Sequence, residues 1–334
     1  MLNKRIAIDL GTANSVVYVL GKGIVLNEPT VVAITEDDER VVAVGNDAKE
    51  MLGKTPEGIT ALRPLRDGVI ADYAVTEAML KYFINKSVGG SRIFKPDVMV
   101  SVPAGVTSVE ARAVLDAAYS AGARYAYLIP EPLAAAIGTG LPISEPSGNM
   151  IVNIGGGTSE IAVVSLYGIV VFGSVRVAGN KIDEAIGQHI RRKYGLIIGD
   201  KTSEDVKKTI GTAFPLDKEE FLEVKGRDSI SGLPKTILVG SHEVSQAIQS
   251  PLSQIVLSIK NVLEQTPPEL SSDIIDKGFV LSGGTAHLRS LDSFISQATG
   301  VPTHVADEPL LCVVRGVAQA MESMDLYGKS VMKR

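Results

Sequence analysis

The chain has 334 residues, 45 % of them apolar and 21 % charged, with a formal net charge of −5 at neutral pH. This length and apolar content suit two α/β domains, each able to bury its own core. The negative charge argues against a nucleic-acid partner, and the single cysteine, Cys312, excludes an intramolecular disulfide. No apolar run approaches the ~18 residues of a membrane span, and the N-terminus leads directly into a strand, so we expect neither a transmembrane helix nor a signal peptide.

The first predicted element is a hairpin at residues 6–19, in which two apolar strands flank a turn of small residues. A third strand follows at 23–25. Residues 33–74 are predicted to form short strands, turns and a short helix, which together make a small inserted subdomain. A helix is expected at 75–84 because its apolar residues recur at helical spacing.

The loop at residues 87–95 carries two large apolar residues, Ile93 and Phe94, between the cations Arg92 and Lys95. The two apolar side chains can fill the core where the next strand begins. Alternatively, they form the tip of a membrane-contacting loop, in which apolar side chains enter the bilayer and the cations meet anionic head groups. The residues alone leave both interpretations open.

A capping-box pattern at 107–110 predicts a helix that runs to residue 121. A strand at 127–129 then leads to Glu131 and a further helix. Open α/β sheets bind ligands where a strand ends and a helix begins. The carboxylate of Glu131 can therefore orient or deprotonate a water, but an acid at a helix start is equally favoured by the helix dipole alone.

The stretch at 151–164 predicts a strand, a tight turn and a second strand. The turn contains three consecutive glycines, Gly155, Gly156 and Gly157, followed by Thr158. Glycines lack a Cβ, so their N–H groups can approach a ligand closely and form a concave anion site. Considered alone, the stretch fits both a phosphate-binding loop and an ordinary hairpin turn.

A second copy of this pattern favours the phosphate-binding interpretation. The N-terminal hairpin aligns with it, with Asp9 over Asn153 and Asn14 over Thr158. The two copies start roughly 145 residues apart, and a repeat of that size implies two similar domains. Two such loops facing each other across a cleft would hold a polyphosphate from both sides.

The rest of the second half alternates predicted helices with short strands. In chain order these are helices at 183–194 and 206–210, a charged surface hairpin at 213–228, a helical stretch at 243–263, a strand with a glycine turn at 278–285, a helix at 286–295 and a last helix at 312–324. Pro251 either breaks the helical stretch or opens a second helix. Gly283 and Gly284 would let a flat ring or a phosphate pack against the backbone.

Six motifs lie at intervals along the chain: I-D-L-G-T-A-N (8–14), G-K-G-I-V-L-N-E-P (21–29), R-P-L-R-D-G-V-I-A-D-Y (63–73), E-P-L-A-A-A-I-G (131–138), G-L-P-K-T-I (232–237) and T-P-P-E-L-S-S-D-I-I-D (266–276). Together they resemble the MreB family of bacterial actins, the rod-shape-determining proteins. This family lies within the superfamily of actin, sugar kinases and large heat-shock ATPases. Several of the motifs are not shared by the kinases or the chaperones.

The resemblance implies an α/β chain with an actin-like fold, in which two similar domains of ribonuclease H-like repeats hold a nucleotide in the central cleft. The first domain would cover residues 1–148, with a smaller subdomain inserted at about 33–74. The second would cover 149–334, with its subdomain at about 182–240. Its C-terminal helix, at about 312–324, is expected to pack back on the first domain.

The resemblance also implies ATP and Mg²⁺ as the bound cofactors. The nucleotide-binding residues carried over from the family are Thr12, Ala13 and Asn14 in the first loop, Gly155, Gly156 and Gly157 in the second, Glu204, Asp205, Val206 and Lys207 beside the ribose and base, and Gly283, Gly284, Thr285 and Ala286 in the adenosine-binding turn. Glu131 and Thr158 take the catalytic positions, with Glu131 positioning the attacking water. Asp9 and, more weakly, Asn153 would lie near the metal through water.

Partners follow from the same resemblance. They would be further copies of the chain in head-to-tail, paired filaments, the inner membrane surface and the cell-wall elongation proteins, with no nucleic acid among them. The protein would be cytoplasmic, at the inner face of the cell membrane, and would maintain rod shape. Ile93 and Phe94 fall in the loop by which such proteins touch lipid.

Asn153 departs from the family pattern, which usually has Asp at this position. Asn is neutral and is a weaker partner for a hydrated divalent cation than a carboxylate. We therefore expect nucleotide binding to survive and metal affinity and hydrolysis to be weakened; Asn180, Lys181 and Thr285 are further departures. The leading hypothesis is a filament-forming ATPase. The alternatives are a small-molecule (sugar) kinase with the same cleft and a nucleotide-binding scaffold without turnover.

Overall fold

The computed structural model describes residues 4–66, 68–89 and 95–333. Its strands are β1 (Arg5–Leu10), β2 (Asn14–Val19), β3 (Gly23–Pro29), β4 (Val32–Thr35), β5 (Val41–Val44), β6 (Ile59–Leu62), β7 (Leu65–Arg66), β8 (Val69–Ile70), β9 (Asp97–Val102), β10 (Tyr125–Pro130), β11 (Asn149–Ile154), β12 (Ser159–Ser165), β13 (Gly168–Val175), β14 (Leu196–Ile197), β15 (Phe221–Asp228), β16 (Pro234–Gly240), β17 (Phe279–Ser282), β18 (Thr303–Val305) and β19 (Met332–Lys333). Its α-helices are α1 (Asn46–Met51), α2 (Tyr73–Val88), α3 (Ser108–Ser120), α4 (Glu131–Gly138), α5 (Gly179–Tyr194), α6 (Asp200–Ile210), α7 (Ser241–Ala247), α8 (Gln249–Gln265), α9 (Pro268–Lys277), α10 (Leu291–Thr299), α11 (Cys312–Glu322) and α12 (Met324–Tyr327). Short 3-10 helices lie at Gly284–His287 and Pro309–Leu311.

Two large sheets repeat one strand pattern. The N-terminal sheet has the order β19-β10-β9-β1-β2-β3, and the C-terminal sheet has the order β13-β12-β11-β17-β18. Each begins with a three-stranded antiparallel meander, β1–β3 or β11–β13, and each meander contains one shift of register between its second and third strands. Parallel strands then extend each sheet from the first strand of its meander. The repeat predicted from the sequence is confirmed.

Smaller sheets lie within the two segments predicted as inserted subdomains. The first is β5-β4-β6 and the second is β14-β15-β16. The charged hairpin predicted at 213–228 is wrong in its bounds, because its strands are β15 and β16 and it spans 221–240. The division of the chain into domains at 1–148 and 149–334 stays a prediction.

Helices α4 and α11 pack together between the two large sheets. Glycines allow their close approach, because any side chain at these positions would overlap the other helix. A Cβ on Gly138 would lie 1.9 Å from the Cys312 carbonyl oxygen, and a Cβ on Gly316 would lie 1.7 Å from the Ala134 carbonyl oxygen. The buried cluster around the pair draws on strands of both sheets. Its members include Ala7, Met99, Leu133, Ile151, Val164, Val314 and Val317. This packing fixes the N-terminal residue of α4, Glu131, at the junction of the two sheets.

Helix α3 begins as predicted. The Thr107 hydroxyl accepts a hydrogen bond from the Glu110 N–H at 3.2 Å, and the Glu110 carboxylate accepts one from the Thr107 N–H at 2.8 Å. This reciprocal pair satisfies two N–H groups at the helix start. Helix α2 begins earlier than the predicted 75–84 because the Asp72 carboxylate caps it, accepting from the Val75 N–H at 3.0 Å, and it also continues further, to Val88.

The helical stretch predicted at 243–263 is two helices, α7 and α8, which meet at Ile248. Pro251 lies in the first turn of α8, where a missing N–H costs no helical hydrogen bond. The helix predicted at 286–295 is wrong at its start, because a 3-10 turn and Ser290, at a φ of 58°, precede α10. Helix α9, which begins at Pro268, was not predicted.

Candidate functional site

The two glycine-containing turns face each other where the large sheets meet. A Cβ on Gly156 would lie 2.4 Å from the Cβ of Ala13, and one on Gly157 would lie 2.7 Å from the Thr12 hydroxyl oxygen. Carbon atoms in ordinary contact are about 3.5–4.0 Å apart. The loops therefore approach closely only because the second one has no side chains at these positions.

Hydrogen bonds hold both loops in place. The Gly155 N–H donates to the Thr158 carbonyl at 2.9 Å and closes the second turn. The carbonyl oxygens of Gly155 and Gly156 accept from the N–H groups of Gly179, at 3.1 Å, and Asn180, at 2.8 Å. In the first loop the carbonyl oxygens of Ala13 and Gly11 accept from the Thr30 N–H, at 2.9 Å, and the Thr30 hydroxyl, at 2.7 Å. With these carbonyls engaged, both loops have a fixed backbone that can present N–H groups to an anion.

Three carboxyl groups gather behind the loops. Glu131, at the start of α4, is buried, and burial together with the charges of Asp9 and Glu160 raises its pKa well above the usual range. Burial also raises the pKa of Asp9, to about 6, although a hydrogen bond from Ser101 lowers it. A desolvated carboxylate of raised pKa is a stronger base than one in water. Glu131 is therefore suited to take a proton from water or to orient one.

The two sheets present matching polar pairs to this cluster. In the N-terminal sheet the Ser101 hydroxyl donates to the Asp9 carboxylate at 2.8 Å. In the C-terminal sheet the Ser282 hydroxyl donates to the Asn153 amide oxygen at 3.1 Å, and the Asn153 amide nitrogen donates to Glu131 at 3.4 Å. Asn153 thus contacts the other half of the chain.

The donor set near the loops fits Mg²⁺ only as an ion held mainly by phosphate and water. Asp9 supplies one carboxylate, and the Asn153 amide oxygen already accepts from Ser282. Among the described residues no group of three or more His, Cys, Asp or Glu side chains is arranged to hold an ion. Mg²⁺ commonly binds through one or two carboxylates, substrate phosphates and several waters, which matches this arrangement.

The late glycine turn lies against the second loop. Gly283 has a φ of 85°, and a Cβ there would lie 2.3 Å from the Ile154 carbonyl oxygen. The Thr285 hydroxyl donates to the Gly155 carbonyl at 2.7 Å. Lys207 donates to the Gly179 carbonyl at 3.0 Å and forms an ion pair with Asp183. The turn, the second loop and α6 therefore form one side of the cleft.

An ion pair crosses the cleft opposite the sheets. The Lys49 ammonium on α1 lies 3.1 Å from the Glu204 carboxylate on α6, and Lys208 pairs with the same carboxylate at 2.6 Å. Burial alone would raise the pKa of Glu204, but hydrogen bonds from the two lysines outweigh it and lower the pKa to about 2. Glu204 thus links the two small inserted segments.

Comparison with known proteins identifies the family. The model of the MreB/Mbl protein family matches residues 3–329. The cell shape-determining protein MreB of Escherichia coli (strain K12) is 51 % identical over 334 residues, which cover 98 % of this chain and 96 % of the relative. This chain belongs to the MreB/Mbl family.

Solved structures agree with this assignment. MreB5 of Spiroplasma citri, crystallised with AMPPNP and with ADP, superposes with a TM-score of 0.93 at 36 % identity, covering 98 % of this chain and 99 % of the other. MamK in a double helical filament superposes at 0.79 with 21 % identity, over 96 % of this chain and 99 % of the other. The predicted actin-like α/β fold is confirmed.

In this member of the MreB/Mbl family most of the predicted site residues lie together. Thr12, Ala13, Gly156 and Gly157 form the contact between loops, and the predicted residues placed around them are Asp9, Glu131, Asn153, Gly155, Gly283 and Thr285. The side chain of Val206 lies in the hydrophobic core and Asp205 is exposed, and their roles beside the ribose and base stay predictions. The remaining predicted residues are Asn14, Thr158, Gly284 and Ala286. Asn14 starts β2, and its amide nitrogen lies 3.5 Å from the Asn27 amide oxygen. The roles of these four residues toward a nucleotide stay predictions.

Four residues that contact this site were not predicted. Ser101 and Lys49 come from segments without a motif of their own, so only the folded chain places them there, whereas Ser282 directly precedes the predicted glycine turn at 283–284 but was not assigned a role. Glu160 did carry a signal, because it is a charged residue directly before the apolar run of a predicted buried strand, 161–164. Buried charges are rare unless they have partners.

The predicted membrane-contacting residues, Ile93 and Phe94, lie outside the described residues. In the part of the chain that the structure describes, no helix is long and apolar enough to cross a membrane.

Proposed function

We propose that this chain binds ATP between its two glycine loops and polymerises head to tail into filaments. The observation that carries the proposal is the close approach of Gly156 to Ala13 and of Gly157 to Thr12, next to buried Glu131, which contacts Asn153 at the start of the second loop. Two such loops hold a polyphosphate through backbone N–H groups, which suit anions. The relative MreB5 is crystallised with AMPPNP and with ADP, which supports adenine nucleotide as the ligand.

We further propose that the bound nucleotide is hydrolysed. The oxygen of a water forms a bond to the γ-phosphorus, the bond to the β-phosphate oxygen breaks, and ADP and inorganic phosphate result. The Glu131 carboxylate orients this water and accepts its proton, and the Thr158 hydroxyl, next to the glycine loop, assists in placing it. Mg²⁺, when bound near Asp9, would neutralise charge on the phosphates.

Asn153 supports a second candidate, a nucleotide-binding scaffold with little turnover. Its neutral amide donates to Glu131 at 3.4 Å, so it occupies one oxygen of the group proposed to activate water. It also leaves Asp9 as the only proposed carboxylate ligand for the metal. A sugar-kinase function is not favoured, since the relatives found are cell shape-determining proteins.

We propose that the filaments lie at the inner face of the cell membrane and organise the cell-wall elongation proteins, which maintains rod shape. Head-to-tail contact is heterologous and does not close, so it produces open filaments. The name of the Escherichia coli relative supports the role in cell shape, and the filament of MamK is built on the same fold. Contact with lipid through Ile93 and Phe94 belongs to this proposal.

Sedimentation tests the proposal in one experiment. The chain is pelleted with ATP, with ADP and without nucleotide, in the presence and absence of anionic liposomes, and released phosphate is measured in the same tubes. Pelleting that depends on ATP, together with phosphate release, is the expected result. Pelleting without release would favour the static scaffold.

No pelleting under any of these conditions would refute filament formation. In that case, phosphorylation of a panel of sugars would decide for or against the kinase alternative. Retention of the chain on anionic but not on neutral liposomes, lost on changing Ile93 and Phe94 to Ala, is the expected result for the membrane contact.

A further inference from the structure

A row of polar side chains crosses the C-terminal sheet just below the glycine loop. Four residues lie at one level on neighbouring strands: Ser282 on β17 pairs with Asn153 on β11, Asn153 pairs with Glu160 on β12, and Glu160 pairs with Ser174 on β13. Directly paired residues project from the same face of a sheet. The row therefore presents its polar groups together toward the other half of the chain.

Glu160 is the charged member of this row, and it is fully buried. A buried charge is costly unless hydrogen bonds compensate it. The Ser174 hydroxyl donates to one of its carboxylate oxygens at 2.6 Å, and the Ala104 N–H donates to the other at 3.2 Å. Both oxygens are therefore engaged, and neither of the donors belongs to the glycine loops.

The two donors come from different halves of the chain. Ser174 lies on β13 of the C-terminal sheet, whereas Ala104 follows β9 of the N-terminal sheet. The segment of Ala104 meets β13 a second time, since a Cβ on Gly105 would lie 3.8 Å from the Phe172 ring. The Glu160 carboxylate thus ties the segment after β9 to the outer edge of the C-terminal meander.

This tie lies next to the proposed catalytic residue. Glu131 contacts Asn153, the neighbour of Glu160 in the row, and the charge of Glu160 is close enough to raise the pKa of the Glu131 carboxyl. The row therefore touches the N-terminal half at two points, through Asn153 to Glu131 and through Glu160 to Ala104. The residues that make these two contacts, Asn153 and Glu160, are directly paired on β11 and β12.

We propose that Glu160 is a positioning residue for ATP hydrolysis, which sets the spacing of the two halves of the chain and thereby the placement of Glu131 against the phosphates. The inference rests on the proposed ATPase function. It assigns Glu160 no contact with nucleotide or water. Nucleotide binding, which uses the loops, should therefore depend little on this side chain, and turnover should depend on it strongly.

The test compares Glu160→Ala with Glu160→Gln in the full chain, measuring kcat and KM for phosphate release and the Kd for ADP. Alanine leaves the half-buried Ala104 N–H without its acceptor, so we expect kcat to fall about tenfold or more with KM and Kd within about threefold of the parent. Glutamine keeps both bonds, because its oxygen accepts from Ala104 and its amide donates to Ser174, so it should restore kcat. Glu223→Ala, at an exposed glutamate on β15, is the matched control.

Ser174→Ala removes the other donor from an exposed position, so it leaves no cavity in the core, and it should lower kcat by about threefold. A Glu160→Gln variant as impaired as Glu160→Ala would overturn the proposal, because the charge itself would then be required. A parallel loss of ADP affinity and kcat would also overturn it, in favour of a merely structural role. If the parent chain releases no phosphate, the proposed ATPase function is refuted. If the parent hydrolyses ATP and Glu160→Ala hydrolyses it equally fast, only the proposed role of Glu160 is refuted.

Discussion

Replacing Gly156 with Ala tests the central feature of the site, the contact between the two loops. The added methyl would lie 2.4 Å from the Cβ of Ala13 and 3.3 Å from its backbone nitrogen. Since carbon atoms in contact lie about 3.5–4.0 Å apart, the loops must separate by more than about 1 Å. Neither neighbour is a flexible side chain, so the backbone has to move. Overpacking of this kind costs about 1–3 kcal/mol.

We expect the separation to weaken ADP binding by about tenfold to a hundredfold, because about 1.4 kcal/mol corresponds to a factor of ten in affinity. Calorimetric titration with ADP measures the effect, and thermal melting without nucleotide checks the fold. Gly199→Ala is the matched control, since it lies outside both loops and its methyl would have no atom within 4 Å. Equal ADP affinity in both variants and the parent would refute the argument that close approach of the loops builds the site.

Further expectations concern the charges around the cleft. Asn153→Asp puts a carboxylate in place of the amide that donates to Glu131, so the melting temperature in EDTA should fall by a few degrees. Mg²⁺ should restore the melting temperature, and the rate of phosphate release should change. An unchanged Mg²⁺ dependence together with an unchanged rate of release would contradict this. Lys49→Ala removes the pair across the cleft and should release a fluorescent ADP analogue about threefold faster, whereas Lys208→Ala, which breaks only a pair within α6, should not. In the folded chain the pKa of Glu204 is depressed from 4.5 to about 2, so the ionised carboxylate stabilises the fold above pH 4.5 and this stabilisation is lost as the pH falls toward 2. The melting temperature of Lys49→Ala should therefore fall less than that of the parent between pH 4.5 and pH 2.

Elements with strong local patterns were predictable from the sequence. The two meanders are buried apolar strands around small-residue turns, and their repetition identified both sheets. Pro251 indicated either a break or the start of a second helix in the stretch at 243–263, but the position of the break at Ile248 was not predictable, because apolar spacing continues from α7 into α8. The left-handed conformation of Ser290 leaves no signal in the sequence, since non-glycine residues adopt it rarely.

The residues of the candidate site divide in the same way, into those that a local sequence pattern predicts and those that only the fold brings together. Residues within the motifs, such as Gly156 and Glu131, were predicted because the turn chemistry and the helix start are local. Their partners were not, because Lys49 and Ser101 are far from the motifs in sequence and reach the site only through the fold. Glu160 lies between these cases: its charge directly before an apolar run marks it, but the two donors that explain it come from separate segments.

The pairing of the two sheets gives Asn153 a physical rationale. Asp9 and Asn153 occupy equivalent places in the repeat, and each accepts a hydrogen bond from a serine on the adjacent parallel strand. An ionised aspartate can only accept hydrogen bonds, whereas an asparagine also donates. Asn153 uses this second capacity to donate to Glu131, within a cluster that already contains the carboxyl groups of Asp9 and Glu160. The amide therefore relieves charge repulsion in the metal-free cleft, and the same substitution removes a carboxylate from the site proposed for the cation.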